Sequence, residues 1–435
     1  MTIKFTNNAT TTLASGINSS VTSLTVATGT GALFPSLSGS DVFYVTLANL
    51  TGTVEIVKVT ARSSDTFTIV RGQDNTTAAA WVTGDKVELR PTAAILAAMA
   101  QTANNLSDLA NSTTAANNLG LNPAGNGFKN RIINGAMVID QRNAGASGTA
   151  GGYTVDRWAY VNSQASKGTW QKNAGSVTPP SDFKNYLGFT SSSAYSIAAG
   201  DYFTLRQSIE GFNTSDLGFG AAGASTISFS FWVRSSLTGT FGVVVSSGNA
   251  SRGYPATYTI SAANTWEYKT ITIVGDTSGT WVGATNGTGM VVDFGLGVGS
   301  TYSASANTWG SGNILGATGA TSVVGTSGAT FYITGVQLEK GSTATSFDFR
   351  SIGTELALCQ RYFEKLQIQN TLTGSDQSSG ASRLAWFFKV TKRASPTMAN
   401  YAGGTADRTD VDGFAVFAVA SAATILNGAT ASSEL

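Results

Sequence analysis

The sequence predicts a mainly β protein built as a string of modules: a small N-terminal β-domain, a short coiled-coil helix, a β-sandwich or jelly roll, and a small C-terminal β-domain. Three observations predict it. Of 435 residues, 50 are glycine, and threonine is abundant, which is the composition of short strands and tight turns. Apolar and polar residues alternate in many short runs separated by Gly, Asn or Asp. One Ala-rich stretch of different character lies between two such regions.

The composition also excludes several function classes. Lys+Arg is 26 and Asp+Glu is 25, so the net charge is only +1. No bulk charge is available to hold nucleic acid or an anionic membrane surface, and neither partner is expected. Charged residues make up 12% of the chain, about half the usual share. Histidine is absent, which removes the commonest general base and metal ligand. The single cysteine, Cys359, has no second thiol for a disulfide or a zinc site and is expected to be packed in a core. No cofactor, metal site or catalytic residue is expected. The start, Met1-Thr2-Ile3-Lys4-Phe5-Thr6, lacks the apolar core of a secretory signal, so synthesis in a cytoplasm is expected. The longest weakly apolar run, Ala93 to Ala100, is too short to cross a bilayer.

Residues 1–91 read as the first β-domain. Strands are predicted at Leu24–Ala27, Val42–Leu47, Val54–Thr60, Thr66–Val70 and Lys86–Leu89, with Gly29-Thr30-Gly31 and Gly52 at turns. Residues 92–120 read as a helix with Thr92 near its N-cap and Gly120 as its stop. Ile95, Met99, Thr102, Leu106, Leu109, Thr113 and Ala116 are spaced alternately by four and three. That spacing is a heptad seam and predicts an oligomeric neck, although two threonines make it weak. Residues 121–130 form a Gly/Asn/Pro linker. Residues 131–354 carry roughly nine strands with no intervening helix, the pattern of a sandwich or jelly roll. They are placed at Ile132–Ile139, Trp158–Val161, Tyr186–Thr190, Tyr202–Ile209, Thr226–Arg234, Phe241–Ser246, Trp266–Val274, Gly289–Leu296 and Thr330–Gln337. Residues 355–435 begin with a predicted helix, Glu355–Lys365, and continue into strands near Arg383–Thr391 and Gly413–Val419.

Phe34-Pro35, Phe43-Tyr44-Val45-Thr46-Leu47, Glu55-Ile56-Val57-Lys58-Val59-Thr60 and Arg71-Gly72-Gln73 form the first of three stretches that resemble phage and prophage tail-fibre proteins, and are similar to the N-terminal module that attaches many such fibres to the virion. Asn105-Leu106-Ser107-Asp108-Leu109-Ala110-Asn111, continuing to Asn118-Leu119-Gly120-Leu121, resembles the shaft repeat of lambdoid fibres. It departs from that repeat at Thr114-Ala115-Ala116-Asn117, which lacks the usual Arg, and occurs once. The third set begins with Asn130-Arg131-Ile132-Ile133-Asn134-Gly135, Asp140-Gln141-Arg142-Asn143 and Tyr153-Thr154-Val155-Asp156-Arg157-Trp158. It continues with Gly335-Val336-Gln337-Leu338-Glu339-Lys340-Gly341 and Glu355-Leu356-Ala357-Leu358-Cys359-Gln360-Arg361-Tyr362. This set resembles the distal jelly-roll, carbohydrate-module-like domain of such fibres. The resemblance implies a homotrimer in the virion, bound to a tail or baseplate protein through its N-terminal module. It implies a distal end that binds host-surface glycan, with a variable tip.

For sugar binding, flat aromatic faces must stand beside amides and carboxylates. Tyr254, Tyr302, Trp281 and Trp309 are predicted to lie in Gly/Ser/Thr/Asn-rich loops and are the candidates for exposure, with Tyr401 beside Gly403-Gly404 in the terminal domain. Trp158 and Trp232 are expected in the core. A glycosidase would need two acids flanking a cleft. The candidates are Asp140, Asp156, Asp201, Glu210, Asp293, Glu339 and Asp348, each with a structural alternative: an Asp156–Arg157 ion pair, an exposed turn at Glu339-Lys340. Repeats of a depolymerising β-solenoid are not visible. A trimeric receptor-binding adhesin is therefore the expectation. A polysaccharide depolymerase spike and a purely structural tail component are the alternatives.

Overall fold

The structure is a computed structural model, and it describes residues 2–97, 129–366, 371–372, 382–401, 405–418, 424–425 and 428–435. The chain divides into two compact units, residues 1–115 and 116–435.

The first unit is one antiparallel six-stranded sheet. Its strands are β1 (Thr10–Thr12), β2 (Ser23–Thr25), β3 (Phe43–Ala48), β4 (Val54–Ser63), β5 (Thr66–Gln73) and β6 (Lys86–Glu88). They lie in the order β1-β6-β3-β4-β5-β2. Alternation decides which face is buried: Phe43, Val45 and Leu47 of β3 join Val57 and Val59 of β4 and Phe67 and Ile69 of β5 in one core. Phe34 enters from a loop and meets the Phe67 ring edge-on at 5.1 Å. A short helix, α1 (Ala93–Ala97), follows. The Thr92 hydroxyl accepts from the Ile95 amide, as an N-cap residue does. Of the predicted seam, Ile95 is half-buried. Met99, Thr102, Leu106, Leu109, Thr113 and Ala116 lie outside the described residues.

The second unit is mainly a two-sheet sandwich. Its strands are β7 (Gly152–Tyr153), β8 (Ala159–Asn162), β9 (Gly168–Lys172), β10 (Leu187–Ser191), β11 (Tyr202–Glu210), β12 (Ile227–Ser235), β13 (Gly239–Ser247), β14 (Arg252–Ile260), β15 (Glu267–Ile273), β16 (Thr288–Val298), β17 (Ser303–Ala304), β18 (Gly310–Ser311), β19 (Gly316–Ala317) and β20 (Thr330–Lys340). One sheet runs β15-β12-β20-β10-β9 and the other β18-β14-β13-β16-β11-β8-β7; β17 and β19 pair separately. The inward residues of both sheets, among them Phe229, Phe231, Phe241, Phe294 and Phe331, form one core with Trp158.

Two expectations for this region are corrected. Residues 132–139 form no strand. Asn134 and Met137 take positive φ, and the Asn134 side chain replaces a sheet ladder by bonding the Ile139 and Asp156 carbonyls. The apolar pattern there has another cause: Ile132 and Met137 enter the sandwich core, whereas Ile133 and Ile139 pack with Cys359 and Tyr362 on the other side. The second correction concerns β14, which includes Tyr254, a residue the sequence predicts to lie in a loop. Pro255 pairs with Val244 of β13, and the neighbour beyond, β18, reaches only Arg252 and Gly253. A proline is tolerated there because no further strand asks for its missing N–H.

The helix α2 (Ile352–Gln360) lies earlier than the predicted Glu355–Lys365, and Ser351 caps it by accepting from the Thr354 amide. It packs beneath the segment 133–139 and buries Cys359. The remaining strands are β21 (Phe363–Lys365), β22 (Thr371–Leu372), β23 (Ser382–Phe387), β24 (Thr397–Ala399), β25 (Thr405–Thr409), β26 (Gly413–Ala418), β27 (Thr424–Ile425) and β28 (Thr430–Ser432). They form small sheets in the orders β21-β28-β24, β22-β27 and β23-β26-β25. Residues of the sandwich hold the last of these segments: Glu434 takes salt bridges from Arg142, at 2.7 Å, and from Arg157.

Candidate functional site

Strand β12 sets up the site by alternation. Ile227, Phe229, Phe231 and Val233 point into the core, so Ser228, Ser230, Trp232 and Arg234 point to the outer face of the five-stranded sheet. Trp232, expected in the core, is therefore half-buried on the outside. It pairs across the sheet with Tyr268 of β15, their rings 5.4 Å apart, and Tyr268 is 44% exposed.

A loop covers one side of this face. After β20 the chain turns back at Gly341, and two buried outer-face residues pin it down. Glu339 accepts from the Thr345 amide at 2.9 Å and its hydroxyl at 2.7 Å. Gln337 accepts from the Asp348 amide at 2.8 Å. Glu339 is therefore a buried loop anchor, not part of an exposed turn. The loop delivers Phe347 and Phe349, which meet Phe183 at 5.1 and 5.3 Å and form a ridge. Phe183 reaches the sheet because residue 335 is glycine. Its φ is +60°, and a Cβ there would sit 2.5 Å from the phenyl ring. A second cover, at the other end of the face, packs Tyr186 and Trp266 against Tyr332, at 5.4 and 6.4 Å.

Between the phenyl ridge and the Trp232–Tyr268 pair lies an open groove of about 550 Å³, lined by Trp232, Tyr268, Ser230, Phe183, Asp182 and Thr345 among others. Its walls offer two rings at an angle, a phenyl ridge, a carboxylate and hydroxyls. That arrangement suits a molecule with apolar faces and many hydroxyls at its edges.

The structure brings three of the five aromatic candidates together elsewhere. Trp281 and Trp309 pack edge-on to Phe219 and are centred 5.6 Å apart at 85°, and Tyr254 packs against Trp309 at 5.2 Å. They are half-buried, and both indole N–H groups are used internally, by Asp276 and by the Val274 carbonyl. Tyr254 stands on β14 rather than in a loop. Tyr302 packs edge-on to Tyr202 at 5.3 Å, and Tyr401 to Phe414 at 5.0 Å; neither joins the cluster.

The candidate acids are each committed to a structural contact. Asp293 holds Arg206 at 2.8 Å and Glu210 holds Arg361 at 2.6 Å and the Tyr362 hydroxyl at 2.6 Å. Asp201 accepts from Tyr195 at 2.8 Å, and Asp140 caps the turn at Asn143 and Gly145. Asp348 pairs with Arg350 at 3.5 Å. Asp156 does not pair with Arg157. It accepts from Gln141, and burial pushes its carboxyl up, while Arg157 lies over the Tyr362 ring at 3.6 Å and bonds Glu434. The motif residues from 130 to 157 and from 355 to 362 thus stitch α2 and the last strand to the sandwich.

No family model and no curated protein matches the sequence. Among solved structures, similar chains include the enzymatically active domain of tailspike protein 4 of bacteriophage CBA120, at 10% identity and a TM-score of 0.24. That match covers 49% of this chain but only 21% of the tailspike chain. A family 4 carbohydrate-binding module is similar at 13% identity and a TM-score of 0.24, over 48% of this chain and 98% of its own. A family 61 carbohydrate-binding module in complex with β-1,4-galactotriose is similar at 11% identity and a TM-score of 0.24, over 49% of this chain and 100% of its own.

Proposed function

We propose that this chain is a phage tail-fibre adhesin that holds host-surface polysaccharide in the groove over the five-stranded sheet without cleaving it. The observation that carries the glycan reading is the Trp232–Tyr268 pair standing on the outer sheet face, beside a loop pinned in place by Glu339 and Gln337. Aromatic faces cover the apolar side of a sugar ring, and the exposed Asp182 lines the same groove for its hydroxyls. The fibre reading rests on the ordered motifs of the sequence, which place an attachment module first, a neck second and this sandwich after it. Binding without cleavage is supported by the engagement of the candidate acids in ion pairs and turns; of these, Glu339 lies beneath the groove wall and Asp348 stands in the ridge loop paired with Arg350.

The test is titration of the intact protein with purified bacterial surface polysaccharides, together with an assay for new reducing ends or unsaturated sugars. Trp232→Ala is expected to weaken binding by roughly tenfold or more, as removal of a central aromatic anchor does. Binding that survives Trp232→Ala would remove the groove from the reading. Release of reducing ends would replace the adhesin by a depolymerase.

A further inference from the structure

Behind the Phe183–Phe347–Phe349 ridge lies a second cavity of about 220 Å³. It shares the three phenyl rings and Asp182 with the groove, so the two compartments are the two sides of one ridge. Its far wall is made by the segment after Asn130, through Ile132, Ala136 and Val138.

The polar groups around this cavity already have partners. The Asn130 amide donates to the Val336 carbonyl at 3.2 Å and its oxygen accepts from the Ile132 and Leu338 amides at 2.9 and 3.1 Å. Arg350 bonds the Ile132 carbonyl at 3.2 Å and pairs with Asp348 and Glu355 at 3.5 and 3.4 Å. The apolar part of the lining is Ile132, Ala136, Val138 and the three rings; beside it stand the ion-paired Asp348, Arg350 and Glu355. Asp182 and Lys184, exposed on either side of Phe183, complete it. The cavity is smaller than the roughly 300 Å³ at which small-molecule pockets begin, so it fits a substituent rather than a whole oligosaccharide.

We propose that this cavity is a subsite of the same glycan-binding surface and takes a methyl group carried on a saccharide, as in a 6-deoxyhexose or an O-acetylated sugar. The inference rests on the groove being the glycan site. A saccharide lying against Trp232 and Tyr268 reaches over Phe349, which is 58% exposed on the crest of the ridge. Its methyl group then leaves water for contact with the three rings and the Ile132, Ala136 and Val138 side chains. A hydroxymethyl or free hydroxyl facing the same apolar groups gives up hydration for a poorer contact. The cavity thus favours the methyl-bearing sugar over the unmodified one.

The experiment is a calorimetric or competition titration of the intact protein with saccharide pairs that differ at the methyl. L-Rhamnosides against L-mannosides and L-fucosides against L-galactosides form the deoxy arm. An O-acetylated bacterial polysaccharide before and after mild base forms the acetyl arm. At least one arm is expected to favour the methyl-bearing member by roughly tenfold. Ala136→Phe, which fills the cavity, is expected to bring that member down to the level of its partner, and Ala136→Val to do so in part. The milder variant keeps the test open if the larger ring lowers the melting temperature. No preference in either arm, or a preference that survives both substitutions, overturns the subsite. If Trp232→Ala abolishes binding in that case, the groove stands and only the subsite falls. If Trp232→Ala changes nothing, or no saccharide binds, both fall.

Discussion

Glu55 accepts hydrogen bonds from the Arg71 guanidinium at 2.8 and 2.7 Å, the Trp81 indole at 2.9 Å and the amides of Gly72 and Ala79, all inside the N-terminal unit. Burial alone would push its carboxyl up. The Arg71, Trp81 and backbone donors outweigh burial and hold it down at about 2, below the ordinary value of 4.5. A carboxyl lowered on folding stabilises the protein fully above its unfolded value. That stability is lost as pH falls from 4.5 through about 2. The N-terminal unit is therefore expected to melt at progressively lower temperature below pH 4.5, as followed by calorimetry. Glu55→Gln should remove this part of the pH dependence. It should also cost about 3 kcal/mol at neutral pH, because Arg71 is left buried without its carboxylate. A wild-type melting curve that is flat over that range would refute the assignment. Both partners are legible in the sequence, in the motifs around Glu55 and Arg71. Their pairing is not, because β4 and β5 bring them together through tertiary geometry.

At the scale of the element, parity was the informative signal and was partly misread. Phe229, Phe231 and Val233 share one parity, and Trp232 shares the other with Ser228, Ser230 and Arg234, which places it outside. Its strand-like alternation predicts the core; the alternation holds, but the face it marks is the outer one. Five of the six strands of the N-terminal sheet and most of the sandwich follow from alternation, since each buries one face; β1, the three threonines Thr10–Thr12, carries no apolar residue to signal it. Residues 132–139 did not, because both sides of that segment are buried and no ladder partner is needed. Tyr268, Phe347 and Phe349 were missed because the groove is built by a strand edge and a returning loop. Gly335 is the element-scale weak point: it combines positive φ with the phenyl ring of Phe183. Gly335→Ala is expected to cost about 1–3 kcal/mol by thermal melting and to displace the ridge, weakening glycan binding in parallel. Unchanged melting with unchanged binding would show that the ridge does not depend on residue 335.

For the whole molecule, the heptad spacing from Ile95 to Ala116 and the fibre motifs support a homotrimer. Three grooves on one particle would raise avidity by roughly two to four orders of magnitude over one groove when the geometry permits joint engagement. Leu106→Asp with Leu109→Asp is expected to give monomers by light scattering. Those monomers should keep their affinity for a monovalent saccharide while losing retention on a polysaccharide surface. A double variant that stays trimeric would assign assembly to the flanking β-domains instead. The tail or baseplate partner of the N-terminal module, and the place of the fibre in the virion, belong to the same reading and rest on the sequence motifs.

The pairing of β21 with β28 carries a consequence for how such a chain can diversify. Lys365 and Thr430 are directly opposed in antiparallel register, which ties the start and the end of the terminal segment together. The segment is tied down a second time between them: Lys392 bonds Glu364 at 2.6 Å and the Gln360 carbonyl, Arg393 bonds the carbonyls of Asn286, Ser433 and Glu434, and β24 pairs with β28. Change is therefore cheap only in the outer strands that neither tie uses. Exchange that spares residues 392–399 and β28 alters what the tip presents and leaves the Glu434 clamp its contacts.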